Sequence, residues 1–247
     1  MAIASEAAHL LIEAHRSGRP IDRLPEALRP ATIADSYAIQ DQIMAALGPI
    51  GGWKVGTSGP DAEPSCAPVA RSVIFESGVT LEAALYHGLA LEIEFAFRIL
   101  RDLPGQDHGY DEVAAAIEFV PLIEVIASRF RDRTGLGAAE MLADANANGA
   151  FVVGAAIADW CSIDFRKVKV ELAINGAIVQ TALDTHPLGD PARLVQWQAN
   201  HLAGRTGGLK QGDIVTTGAL KGMSPVTAKG RGVGDWGALG RVEVAFR

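Results

Sequence analysis

Three observations predict an α+β fold. Residues 89–100 alternate strictly: Leu91, Ile93, Phe95, Phe97 and Ile99 fall on one face, Glu92, Glu94, Ala96 and Arg98 on the other. An Asn175-Gly176 pair separates two β-prone runs, 167–174 and 177–183, which is the strongest short-range hairpin signal. The first fifty residues carry helical spacing instead. Strands and helices do not alternate regularly, so a doubly wound parallel sheet is disfavoured.

In chain order, Ser5 is the expected cap of a helix running to about Arg16, ended by Gly18 and Pro20. Thr32 caps a second, with Ile33, Tyr37, Met44 and Leu47 on one face. Gly48, Pro49, Gly51 and Gly52 then break the chain. They divide it into a helical region, 1–50, and a β-rich domain, 51–247. Asp111 starts a predicted helix ending near Phe119, and residues 137–146 form another. Asp190-Pro191 opens the clearest one, with Asp as cap, Pro in the first turn and Gly204 just past the end. Residues 213–217 and 241–246 read as short strands.

Composition narrows the function classes. With 22 Lys plus Arg against 29 Asp plus Glu, the net charge is 22 − 29 = −7, which argues against a broad nucleic-acid footprint. No apolar run approaches the roughly 18–20 residues of a membrane span. The N-terminus lacks a basic region and carries Glu6 ahead of its apolar residues, so it reads as a helix and not a signal peptide. Cys66 and Cys161 lie 161 − 66 = 95 positions apart with no CxxC, and read as reduced core thiols of a cytoplasmic protein.

Glu92 and Glu94 share one strand face. Two like charges that close repel unless solvated, protonated or bridged by a cation. From the spacing alone, a solvent-facing strand with two acids accounts for them more simply than a metal does. Glu124 lies inside FVPLIEVIASRF, where a buried carboxylate is costly without a partner. It is either ion-paired, with Arg129 or Arg131, or a third ligand. Three carboxylates with no His or Cys nearby would select a hard cation, Mg²⁺ or Mn²⁺. Lys54, in GGWKVGTSG, would have its pKa lowered if partly buried and could act as base or proton donor; alternatively its head reaches water. Asn146 and Asn148 lie in a loop that could aim amides at a substrate or simply form a turn. GRGVGDWGALG has no βαβ context for a nucleotide fingerprint. Residues 56–59 are not a nucleophile elbow. The six histidines show no ligand spacing, and His186 reads as a loop residue.

GGWKVGTS, LALEIEFAFRIL, FVPLIEVIASRF, LADANANGAFVVG and HPLGDPARLVQWQANHLAGRTGGLKQGDIVTTGAL occur in that order. From about Thr32 to the end, the chain resembles the 2-keto-4-pentenoate hydratase and 4-oxalocrotonate decarboxylase family, within the fumarylacetoacetate hydrolase superfamily. The resemblance implies a mixed β-sandwich or roll with a helical N-terminal part. It implies a homo-oligomer, with room for association with an upstream or downstream pathway enzyme, and no nucleic-acid or membrane partner. It implies that Glu92, Glu94 and Glu124 hold the divalent metal, that Lys54 is the active-site lysine, and that Thr57, Asn148 and Thr217 line a small 2-oxo acid. The implied activity is a metal-dependent hydratase acting on 2-hydroxypenta-2,4-dienoate-like acids. A 4-oxalocrotonate decarboxylase, an acylpyruvate-type C–C hydrolase and an inactive binding protein are the alternatives. The chain departs from the family pattern where relatives commonly read IEIVDSR and DNASS: here Ala127 replaces an Asp, and the loop reads Asp144-Ala145-Asn146-Ala147-Asn148.

Overall fold

The computed structural model describes residues 2–247. Two helices, α1 (Ala2–Ser17) and α2 (Ile33–Leu47), precede the first strand. Thirteen strands follow among the described residues: β1 (Ile50–Gly56), β2 (Ser65–Ala70), β3 (Ile74–Glu76), β4 (Val79–Leu81), β5 (Ala90–Ile99), β6 (Ile117–Ile126), β7 (Asn148–Val153), β8 (Val170–Ile174), β9 (Ala177–Ala182), β10 (Ile214–Ala219), β11 (Ser224–Pro225), β12 (Arg231–Asp235) and β13 (Arg241–Phe246). Three short helices, α3 (Tyr110–Ala114), α4 (Ala138–Ala143) and α5 (Ala192–His201), interrupt them. None of the described helices is long and apolar enough to cross a membrane.

The strands make two mixed sheets. The larger runs β2-β1-β10-β5-β6-β7-β3, with β11 added beside β5; the smaller runs β4-β13-β12-β8-β9. The odd residues of β5, Leu91 to Ile99, pack with Val170, Leu172, Val242 and Val244 of the smaller sheet in the main core. Apolar side chains on both facing surfaces remove a large area from water, which drives the two sheets together. The opposite face of the large sheet holds a smaller core of Val69, Ala96, Val120, Leu122 and Phe151. β5's even face continues from Ala96 to the two glutamates. The large sheet curls about this second face. β1 and β6 are separated by β10 and β5, roughly 14 Å in a flat sheet. Side chains stand nearly perpendicular to a sheet, yet Lys54 of β1 reaches Glu124 of β6.

The Thr32 cap is present as a full capping box with Asp35. The Asn175-Gly176 hairpin joins β8 and β9, both turn residues having positive φ. Other boundaries move. The first helix has already begun at Ala2, so Ser5 lies within it and does not cap it. The helix at Asp111 stops at Ala114, because Ile117 and Phe119 pair with Ile99 and Phe97 of β5: tertiary pairing of β-branched and aromatic residues overrides local helical spacing. The helix over 137–146 ends at Ala143, and β8 begins only at Val170. The C-terminal glycine-rich run is strand β12, which pairs with β13 and β8. Of the two free cysteines, Cys66 is buried as expected, but Cys161 is exposed.

Candidate metal centre and active site

β5 and β6 pair in a register that sets Glu92 directly opposite Glu124 and Glu94 opposite Leu122. Opposed residues have Cβ atoms about 4.5–5.5 Å apart, and residues two apart on a strand point the same way. Local strand geometry therefore suffices to bring the three carboxylates together: one oxygen of each lies within 4.8 Å of the others. Glu94 and Glu124 are buried and Glu92 is half-buried, so the trio is not a solvated strand face.

Lys54 is the cation in contact. Its Nζ lies 2.8 Å from Glu124 Oε1 and donates to the Asn146 carbonyl at 3.3 Å. Glu124 is thus paired with Lys54; Arg129 and Arg131 pair with Asp144 and Asp22 instead. One ammonium does not balance three acids. Burial first, then the Glu124 charge, pushes the Glu94 carboxyl well above the usual carboxylate range, against the pull of Lys54. Burial also raises Glu92, opposed by Lys54. For Lys54 the sign differs from the sequence expectation. Burial pulls its pKa down, but Glu124, Glu92 and Glu94 together push it up further, so the net shift is upward and the side chain is an ammonium near neutrality.

The carboxylates are held from behind. Asn148 Nδ2 donates to Glu124 Oε1 at 2.8 Å, and the Gly218 N–H donates to Glu94 Oε2 at 2.8 Å. Glu124 Oε2 is buried without a hydrogen-bond partner. An orphaned oxygen inside an all-carboxylate cluster suits a hard divalent cation, which would satisfy that oxygen and relieve the like-charge repulsion.

The Gly218 donor exists because the register of β10 on β5 shifts between Thr216 and Ala219. Gly218 has φ +100°, a conformation that L side chains rarely adopt. A bulge of this kind re-aims side chains next to a site. Thr217 itself follows ordinary alternation: Thr216 opposes Ala96 on the glutamate face, so Thr217 points to the opposite face, where its hydroxyl is buried and donates to the Phe95 carbonyl at 2.8 Å, while its own carbonyl meets His186 Nε2 at 3.1 Å. Gly218 and Ala219 line the cleft in its place, together with Lys54, Thr57, Glu92 and Glu94. The Thr57 hydroxyl lies 2.7 Å from the Gly59 carbonyl and 3.0 Å from that of Ala62, shaping the rim loop. Of the expected residues, the structure thus gathers Lys54, the three glutamates, Thr57 and, beneath Glu124, Asn148; it does not bring the Thr217 side chain to the cleft.

Sequence reasoning passed over Gly218, whose place inside a strand pattern is itself a bulge signal. It named the loop of Asn146 and Asn148 that leads into β7 but not its left-handed backbone. Ala145, Asn146 and Ala147 have φ of 48°, 49° and 61°. Left-handed backbone costs a non-glycine residue about 1–2 kcal/mol. This turn aims the Asn146 carbonyl at Lys54 and presents Asn148 to Glu124.

Known proteins carry the same arrangement of elements. The chain is 29% identical over 234 residues to the 2-keto-4-pentenoate hydratase of Paraburkholderia xenovorans, covering 90% of this chain and 86% of that one. It is 30% identical over 235 residues to the 2-hydroxyhexa-2,4-dienoate hydratase of Comamonas testosteroni, covering 90% and 89%. Among solved structures, 4-oxalocrotonate decarboxylase from Pseudomonas putida G7, complexed with calcium and acetate, superimposes with a TM-score of 0.85 at 25% identity, covering 99% and 97%. Residues 59–240 match the fumarylacetoacetate (FAA) hydrolase C-terminal family, and this chain belongs to it.

Proposed function

We propose that this chain is a divalent-metal-dependent lyase that hydrates 2-hydroxypenta-2,4-dienoate-like acids through their 2-oxo tautomers. The observation that carries the reading is the convergence of Glu92, Glu94 and Glu124 about the unpartnered Glu124 Oε2, with the Lys54 ammonium in contact. These glutamates would hold the ion, Mg²⁺ or Mn²⁺. Once bound, the ion supplies Lewis-acid polarisation of a 2-oxo acid's oxygens.

The protein's own groups do the rest. An ammonium has three donors; Glu124 and Asn146 take two, leaving one N–H of Lys54 for the substrate. Lys54 donates a proton to C5 of the dienol while the C2 hydroxyl gives up its own proton, which restores the ammonium and leaves the unsaturated 2-oxo acid. Water then adds at C4, its hydroxyl to carbon and a proton to C3. Asn148 and Gly218 fix the carboxylates, so little reorganisation remains for the reaction itself.

Decarboxylation of a 4-oxalocrotonate-type acid is the second reading, favoured by the similarity to the P. putida decarboxylase. One feature of the cleft weighs against it. Among the described residues lining the cleft, Lys54 is the sole cation and is already paired, while Glu63 adds a negative charge. A second substrate carboxylate would find no further counter-charge in that lining, and Arg133, whose charge reaches Glu92, stands outside it.

The test is turnover of 2-hydroxypenta-2,4-dienoate with Mg²⁺ or Mn²⁺, alongside CO₂ release from 4-oxalocrotonate. Hydration abolished by EDTA and restored by the ion is the expected result. Hydration that survives both EDTA and Glu94→Gln would sink the metal assignment.

A further inference from the structure

Three consecutive residues without glycine, Ala145 to Ala147, hold left-handed backbone beside Lys54. Such a turn is intrinsically unfavourable and persists only where its surroundings over-determine it. Two backbone bonds brace it, from the Ala127 N–H to the Ala147 carbonyl at 2.8 Å and from the Ala147 N–H to the Asp144 carbonyl at 2.9 Å, and the densest set of bonds comes from one side chain. Arg129 Nε and its backbone N–H both bond the Asp144 carboxylate, Nη2 bonds the Asp144 carbonyl, and Nη1 bonds the carbonyls of Ala127 at 3.0 Å and Asn148. Ser128 Oγ adds a bond to Asp144 Oδ2 at 3.0 Å. Asp144 is buried and the Arg129 side chain nearly so. The planar fork of arginine thus grips the residue just before the turn and the residue just after it, which lysine's single ammonium cannot do.

We infer that Arg129 and Asp144 are positioning residues for the reaction: their clamp winds residues 145–147 left-handed and thereby aims the Asn146 carbonyl at Lys54 and the Asn148 amide at Glu124. Neither Arg129 nor Asp144 is among the residues lining the cleft. Their effect passes through the turn. The inference rests on the hydratase reading for its kinetic arm only.

The test uses Arg129→Lys, the gentler Asp144→Asn, and Arg129→Lys combined with Ala145→Gly and Ala147→Gly. Misplacing catalytic groups by about an ångström costs on the order of 100-fold, so Arg129→Lys should lower kcat by about that factor with KM nearly unchanged. Amide exchange over residues 145–149 of the metal-free protein should quicken by at least roughly tenfold as the turn opens locally. Glycine holds left-handed backbone without a clamp, so the triple variant should regain roughly threefold or more of the lost kcat. Asp144→Asn, which keeps the side chain's shape, should move exchange and kcat in the same direction and decides the matter should Arg129→Lys not fold. Wild-type exchange and kcat in a folded Arg129→Lys or Asp144→Asn overturn the inference. So does a loss of kcat that glycine does not relieve. Should the wild type turn over no dienoate, the hydratase reading falls while the exchange arm still decides the clamp.

Discussion

The two walls of the cleft are built by different means. One wall is β5 and β6, where a ladder in unbroken register from Ala90 to Ile99 sets Glu92 against Glu124. The other is the left-handed turn from Ala145 to Ala147, which has no ladder and is held by the side chains of Arg129, Asp144 and Ser128. The first wall tolerates substitution of a side chain without moving, because its geometry is backbone geometry. The second is a chain of dependencies, in which a distant side chain sets the direction of a carbonyl. A site can thus be rigid for two unlike reasons, and mutations should separate them.

The largest effects belong to the strand wall. Glu92→Gln or Glu124→Gln should abolish metal-dependent turnover and weaken metal binding by more than the roughly 100-fold typical of outer-shell partners, while the far-UV circular dichroism stays native. Titration calorimetry with Mg²⁺ checks this; wild-type affinity in either variant would remove these residues from the ion. Lys54→Ala should cost roughly 10²–10⁴-fold in kcat, the range of general acid–base catalysis, and less in metal affinity, as read by steady-state kinetics beside the same calorimetry.

Smaller effects concern stability. Gly218→Ala keeps enough space, the nearest atom to a new Cβ being 3.8 Å away, but not the backbone conformation. It should cost about 1–2 kcal/mol, a fall in Tm of a few degrees that thermal unfolding would detect. Glu94→Gln should act in the opposite sense in metal-free protein. Because burial and Glu124 raise the Glu94 pKa, its ionised form is disfavoured in the fold, and a neutral isostere that can still accept from Gly218 should raise Tm in EDTA. A lower Tm would mean that the acid trio is not under repulsion.

The smallest expected effect is a pH dependence at the bulge. Burial lowers the His186 pKa below its ordinary 6.5, despite the Thr217 carbonyl at Nε2. A depressed folded value contributes stability present above the unfolded pKa and lost as pH falls through the folded one. Stability should therefore decline below about pH 6.5, and His186→Gln should flatten that part of the profile in denaturant titrations at a series of pH values.

Much of the strand wall was legible because its rules are local. Alternation gives the face of Glu92 and Glu94, and an isolated acid in an apolar run marks Glu124 as buried and partnered. The hairpin at Asn175-Gly176 and the cap at Thr32 were legible for the same reason. The Lys54 pKa was not, since its sign depends on how many carboxylates gather round it, and they come from other strands. Thr217 points away from the cleft because Thr216 opposes Ala96 on the glutamate face and alternation turns the next side chain into the core, and nothing in a Thr-Thr-Gly stretch says to which face the sheet pairing will commit.

What the sequence determined by itself is therefore the chemistry available: three oxygen-donor acids and one lysine on strand-forming segments, with no rival cluster of His or Cys among them. Only the tertiary structure decided their meeting. The curl of the large sheet carries Lys54 across two intervening strands, and the Arg129 clamp winds a left-handed run that two alanines flanking an Asn disfavour. Local propensity acts over a few residues, whereas charge balance and backbone strain are settled by groups far apart in the chain, and so became visible only once the sheet had closed around them.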